Sequence, residues 1–283
     1  MSTIHLSVVT LIAMIAFAGN SLLCRIALSA TEIDAASFTT IRLASGAITL
    51  FLLVWLRNKA LVIGGNWLSA LALFAYAAGF SFAYISLSAA TGALLLFGAV
   101  QATMIGYGLF SGERLNMRQM IGIILALSGL IGLLLPGLEA PPLFGATLML
   151  GAGVAWGIYS LRGRGSGDPT QQTAGNFIRA AAMAVLLSAV LQSSANADIA
   201  GICYAVASGA IASGMGYAVW YTALAHLRAT SAATVQLSVP VLAAAGGIVF
   251  LNEPVTIRLM LASFAILGGV AIFLLNKGAA VSS

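Results

Sequence analysis

Residues 67–110 read WLSALALFAYAAGFSFAYISLSAATGALLLFGAVQATMIGYGLF, 44 positions without an Asp, Glu, Lys, Arg or His. A helix crosses a hydrocarbon core about 30 Å thick with about 20 apolar residues. The run is therefore long enough for two crossings, and the small and hydroxyl residues of Ser86–Thr91 mark the turn between them. No surface of a water-soluble domain accommodates so long an uncharged segment.

Working outward, further apolar stretches fall at 6–28, 37–56, 118–136, 143–161, 173–192, 199–223, 230–250 and 258–276, separated by short polar breaks. The whole chain agrees. Of its 283 residues 61% are hydrophobic and 7% charged, with a mean hydropathy of +1.06. Soluble domains carry about 25% charged residues, so a soluble enzyme is excluded. A disordered chain and a disulfide scaffold are excluded too, by the hydrophobicity and by the presence of two cysteines only. Cys24 and Cys203 are expected to be buried small hydrophobes. The fold class is all-α integral membrane, with ten transmembrane helices. The first stretch is longer than the apolar core of a signal peptide and carries Arg25, so it is expected to be retained.

An even number of spans puts both termini on one side, and the basic residues choose it. If the N-terminus is cytoplasmic, cytoplasmic segments hold Arg57, Lys59, Arg114, Arg118, Arg162, Arg164, Arg228 and Lys277, with Arg179 just beyond. The other side keeps Arg258, Arg25 and Arg42. The positive-inside rule then places both termini in the cytoplasm. The net charge of +5 is scattered, which argues against nucleic acid as a partner.

An internal repeat organises the chain. A shift of 140 residues lays Ser88-Ala-Ala-Thr-Gly-Ala-Leu on Arg228-Ala-Thr-Ser-Ala-Ala-Thr, and Gly112-Glu113-Arg114-Leu115 on Asn252-Glu253-Pro254-Val255. Slightly smaller shifts bring Phe17 to Trp156, Arg25 to Arg164 and Arg42 to Arg179. The units are 1–140 and 141–283, five helices each. Five is odd, so equivalent helices run in opposite directions, as in inverted-repeat transporters.

With these motifs in place, the chain resembles the drug/metabolite transporter superfamily, in its ten-helix branch built from two EamA-type repeats. The resemblance covers nearly the whole chain and rests on Ala83–Leu134 and Thr222–Phe273, with Val239-Pro240 and Asn252-Glu253-Pro254. It implies a transporter, similar in feel to bacterial inner-membrane exporters of aromatic amino acids, with a multidrug or other metabolite carrier of the same superfamily, or a non-enzymatic channel, as the alternatives. It also implies a substrate path among helices 3, 4, 8 and 9. One departure is Val100 where the second repeat has Pro240, so helix 4 should be the less kinked.

The candidate substrate-binding residues are Phe17, Asn20, Tyr76, Phe80, Phe97, Gln101, Trp156, Tyr159, Tyr217 and Gln236. An amide facing lipid has no hydrogen-bond partner, so Asn20, Gln101 and Gln236 should turn inward. Bonding between helices is the structural alternative for each, and core packing the alternative for the rings. Gln101 and Gln236 are expected to flank one cavity. Tyr84 and Trp220 are candidates for the interfacial belt. Arg25 and Arg42 are placed at an outer vestibule, either attracting a carboxylate or snorkelling and pairing with Glu32 or Asp34. Glu113 and Glu253 are expected to sit at the positive ends of the helices that follow them, and Asn116 to Gln119 reads as a capping box.

Gly98, Ala102 and Gly106 form a stripe that permits close helix approach. No Asp or Glu falls near the middle of a span, which argues against proton coupling through an embedded carboxylate, and no arginine is expected at midplane. The sequence has no Walker A segment, His-Glu-x-x-His or Gly-x-Ser-x-Gly. No enzyme activity, cofactor or metal is expected. The expected partners are a small-molecule substrate and the lipid bilayer, with no obligate protein partner.

Overall fold

The computed structural model describes all residues except 1–2, 59–63, 113–114, 138–139, 164–167, 225, 227–234 and 278–283. Lys59, Glu113, Arg114, Glu139, Arg164 and Arg228 thus lie outside the described residues. Among the described residues ten apolar helices follow one another: α1 (Thr3–Ala30), α2 (Ala35–Asn58), α3 (Trp67–Tyr84), α4 (Ala89–Phe110), α5 (Met117–Leu134), α6 (Leu143–Arg162), α7 (Pro169–Val190), α8, α9 (Ser238–Leu251) and α10 (Ile257–Lys277). Helix α8 is composite: Ile199–Val206 is α-helical, Ala207–Met215 is wound as a π-helix, and Gly216–Leu224 returns to α. Eight of the ten are long and apolar enough to cross a membrane, and α9 and α10 supply two shorter apolar helices. Outward-facing Leu186, Phe250 and Phe264 are exposed, as side chains against hydrocarbon are.

The helix ends follow local chemistry. Asn66, Ser88, Asp168 and Asp198 cap α3, α4, α7 and α8 with side-chain oxygens that accept first-turn N–H groups. Asn116 and Gln119 form the expected reciprocal capping box on α5. Helix α4 runs unbroken past Val100, whereas a turn at Leu237 separates the helical residues Val235 and Gln236 from α9. Pro240, three residues on, has no N–H to return to the preceding turn.

The repeats interlock. Helix α1 packs on α8 and α9 as α6 packs on α3 and α4; α2 lies against α7, and α5 against α10. The closest approach differs from the expectation. A Cβ at Gly98 would meet only Ile266, and one at Gly106 nothing within 4 Å. That face of α4 borders an apolar cavity of about 210 Å³ shared with α5 and α10. Tight contact occurs between α5 and α10 instead, where a Cβ at Gly122 would lie 2.6 Å from the Gly269 carbonyl oxygen.

Burial corrects three more expectations. Tyr84 and Trp220 are core residues rather than interfacial ones, because α3 and α8 turn those faces toward α1. Cys24 is buried, but Cys203 is exposed on the outer face of α8.

Candidate functional site

Five helices bring side chains to one small cavity. Helix α1 contributes Phe17, Asn20 and Ser21; α3 contributes Tyr76 and Phe80; α4 contributes Leu96 and Phe97; α6 contributes Trp156; α8 contributes Ala212 and Tyr217. The rings interlock. Trp156 lies 4.8 Å from Tyr76 and 5.1 Å from Tyr217, and Phe17 meets Tyr217 edge-on at 5.8 Å. The edge-on pair is a favoured arrangement of aromatic quadrupoles, and the other two are tilted. The enclosed space is about 20 Å³, room for about one water molecule.

Asn20 turns inward and is satisfied. Its amide nitrogen donates to Tyr76 Oη at 3.2 Å, and its oxygen accepts from Ser208 Oγ at 2.7 Å. This ties α1 to α3 and to the π-helical part of α8. Ser208 was not anticipated from sequence, since a serine in an apolar run carries no mark of its partner. Seven of the ten anticipated residues therefore border this cavity. Tyr159 instead borders a separate polar space with Asn66, Ser69, Arg162, Asn176 and Tyr221. Gln101 is buried with its amide nitrogen unpaired, and Gln236 is half-buried; neither borders the cavity of Trp156.

Arg42 is not in a vestibule. It is 1% exposed, seven residues past the start of α2, or about 10 Å along the helix at 1.5 Å per residue. Its guanidinium carbon lies 4.8 Å from the Phe80 ring centre and 5.2 Å from that of Tyr76. The core thus holds an arginine beside the cavity, where none was expected at depth.

Arg25 pairs with neither Glu32 nor Asp34. Its Nε lies 3.1 Å from Glu253 Oε1, and its Nη1 donates to the carbonyls of Tyr84 and Ile85 at the end of α3. Glu253 reaches it because Asn252 adopts a left-handed conformation (φ 52°) after α9. Gly247 leaves the space, since a Cβ there would lie 2.7 Å from Glu253 Oε2. The second carboxylate oxygen accepts the Ala89 N–H at 2.8 Å. Glu253 therefore sits at the positive end of α4, in the other repeat, rather than at the helix that follows it.

Asp34 is used elsewhere. Its carboxylate accepts N–H groups from Ala36, Ser37 and Asn196. Burial pushes its pKa up, but the hydrogen bonds from Ser37, Asn196 and Ala36 outweigh burial and hold it below the ordinary value. This link between the α1–α2 and α7–α8 connections is lost only as pH falls through that lowered value.

The opposite end is also tied across repeats. Arg162 donates to Ser69 Oγ and Asn66 Oδ1, Asn66 N–H to Asn176 Oδ1, and Gly65 N–H to Gln172 Oε1. Arg57 pairs with Asp168 at 3.1 Å. Helix α3 is thus held at its start by an arginine from α6 and at its end by one from α1.

Comparison with known proteins gives these features a context. Residues 6–135 and 143–275 each match the family model described as EamA-like transporter family. A protein of Pseudomonas aeruginosa described as uncharacterised is 57% identical over 266 residues, covering 94% of this chain and 93% of its own. An uncharacterised transporter of Bacillus subtilis, YoaV, is 25% identical over 249 residues, covering 82% of this chain and 85% of its own. A solved crystal structure superposes with a TM-score of 0.69 over 97% of this chain and 99% of that one, at 19% identity, which shows the shared fold.

Proposed function

The chain belongs to the EamA-like transporter family, and from that premise we propose that it exports amino acids with aromatic or bulky apolar side chains across a bacterial inner membrane. The observation that carries this reading is the ring of six aromatic side chains (Phe17, Tyr76, Phe80, Phe97, Trp156 and Tyr217) drawn from both repeats around one cavity. A ring-bearing substrate replaces ring–ring contacts with equivalent ones. In the present conformation the cavity is too small for an amino acid and both ends are tied, so entry requires one end to open. Alternating access between the repeats supplies that opening. No carboxylate is among the buried residues described, which supports downhill export rather than proton-coupled pumping.

Counterflow in proteoliposomes with equal pH on both faces tests the reading. Phenylalanine, leucine and tryptophan are expected to exchange, and glycine and dyes to do so poorly. Failure of every amino acid, with uptake of dyes, would replace this reading with a multidrug one. Trp156→Ala should weaken ring-bearing substrates up to about tenfold, as expected for losing one aromatic contact of 0.5–1.5 kcal/mol. Small substrates should change less, and an equal loss for both would reduce Trp156 to packing.

Orientation is part of the same proposal, with both termini cytoplasmic. Single cysteines at positions 162 and 198, with Cys24 and Cys203 replaced, should be labelled from opposite faces, position 162 from the cytoplasm. Labelling of both from one face breaks the inverted arrangement.

A further inference from the structure

We infer that Arg42 is the specificity residue for an anionic group, so that the cargo is a small organic carboxylate with its apolar body among the rings. The inference deepens the proposed function and rests on it for the identity of the cavity as the transport site.

The guanidinium keeps its charge in any protein environment, and an uncompensated buried charge is costly. Among the described residues no carboxylate compensates it. Nε and Nη1 of Arg42 are buried without hydrogen-bond partners, and the buried residues described include no Asp or Glu. The Phe80 face offers it only a quadrupole, and Tyr76 offers a ring face and a side-chain hydrogen bond, neither of which carries a negative charge. The two side chains touching the guanidinium are themselves walls of the cavity, so a ligand that displaces either ring meets a bare cation.

The other unpaired buried groups share its character. Gln101 Nε2 is an N–H donor, and the Thr10 and Ser213 hydroxyls can donate. Among the described residues, three of the five unpaired buried side-chain atoms are N–H groups that can only donate, which is the complement of a carboxylate. Ser213 lies in the π-helical stretch of α8 that packs on α2. One guanidinium suits a single carboxylate, with its two oxygens facing two N–H groups. It does not suit a multiply charged phosphate ester.

Two pairs of probes separate the charge from the body: phenylalanine with phenylalaninamide, and phenylacetate with phenylacetamide. The readout is the probe concentration giving half-maximal thermal stabilisation of the purified protein in detergent. At least one acid should bind at least tenfold better than its amide. Arg42→Met should abolish that preference while still binding the amide, and Arg42→Lys should retain part of it. If Arg42→Met does not fold, the comparison on the unaltered protein still decides. The inference is overturned if both amides match their acids, if the preference survives Arg42→Met, or if none of the four probes binds. Arg42-dependent binding of phenylacetate without phenylalanine would uphold the inference and sink the amino-acid reading.

Discussion

Gly209→Leu is expected to abolish stable accumulation of the protein, or to lower its thermal midpoint by about 5–10 degrees. Gly209 lies in the π-helical stretch of α8, and a Cβ there would overlap the Arg42 carbonyl oxygen and Ser45 Oγ of α2. Backbone cannot rotate away as a side chain can, so α2 and α8 must separate. Overpacking a close-packed interior costs about 1–3 kcal/mol and occasionally more, and a leucine against backbone belongs at the upper end. Gly151→Leu is the matched control, because a Cβ at Gly151 meets nothing within 4 Å. It should leave the midpoint within a degree or two. Equal midpoints for the two variants would mean that α2 and α8 are not in contact there.

Glu253→Ala should open the Arg25 end of the cavity. The substitution removes the ion pair to Arg25 and the acceptor for the Ala89 N–H together. The two side chains are 20% and 12% exposed, so solvent screening places the pair between a surface bridge of 0–1 kcal/mol and a buried one whose loss costs 3–5. A figure of about 1–3 kcal/mol corresponds to a population shift of about 5–150-fold. A cysteine at Ser21, on the cavity wall, reports it through its rate of thiol modification, with Cys24 and Cys203 replaced by alanine. The rate should rise by at least about fivefold in Glu253→Ala. Glu253→Gln should fall between, because it keeps an acceptor for Ala89 while leaving Arg25 uncompensated. An unchanged rate in both variants would mean that the pair does not close that end.

What was legible in the sequence is what a bilayer or a single helical turn dictates. Run length reports membrane thickness, so the spans could be counted from apolar stretches alone. The box at Asn116 and Gln119 involves four consecutive residues, and its chemistry is complete within them. The aromatic wall was partly legible because large rings and an amide at depth in several helices have few places to go.

Orientation within the bundle was not legible, since helices such as α3 and α4 are apolar on every side and periodicity does not separate a lipid face from a cavity face. Tyr159, Gln101 and Gln236 were placed by depth alone, and depth does not specify the face. The partner of Arg25 stands 228 positions away, and only packing of α1 on α9 reveals it. Arg42 was assigned to a vestibule from its distance to a helix end, but its stem follows the interior of the bundle rather than the water.

An energised membrane is a charged capacitor, and every protein that spans it is a candidate short circuit. One elementary charge crossing 100 mV releases about 2.3 kcal/mol, so even a rare slip of protons or sodium ions drains the cell. A fixed guanidinium without a carboxylate partner, beside a space with room for about one water, sets an electrostatic barrier against every cation that would enter that space. A cargo anion lowers that barrier only while the cargo's own body plugs the space. Between turnovers the carrier remains an insulator.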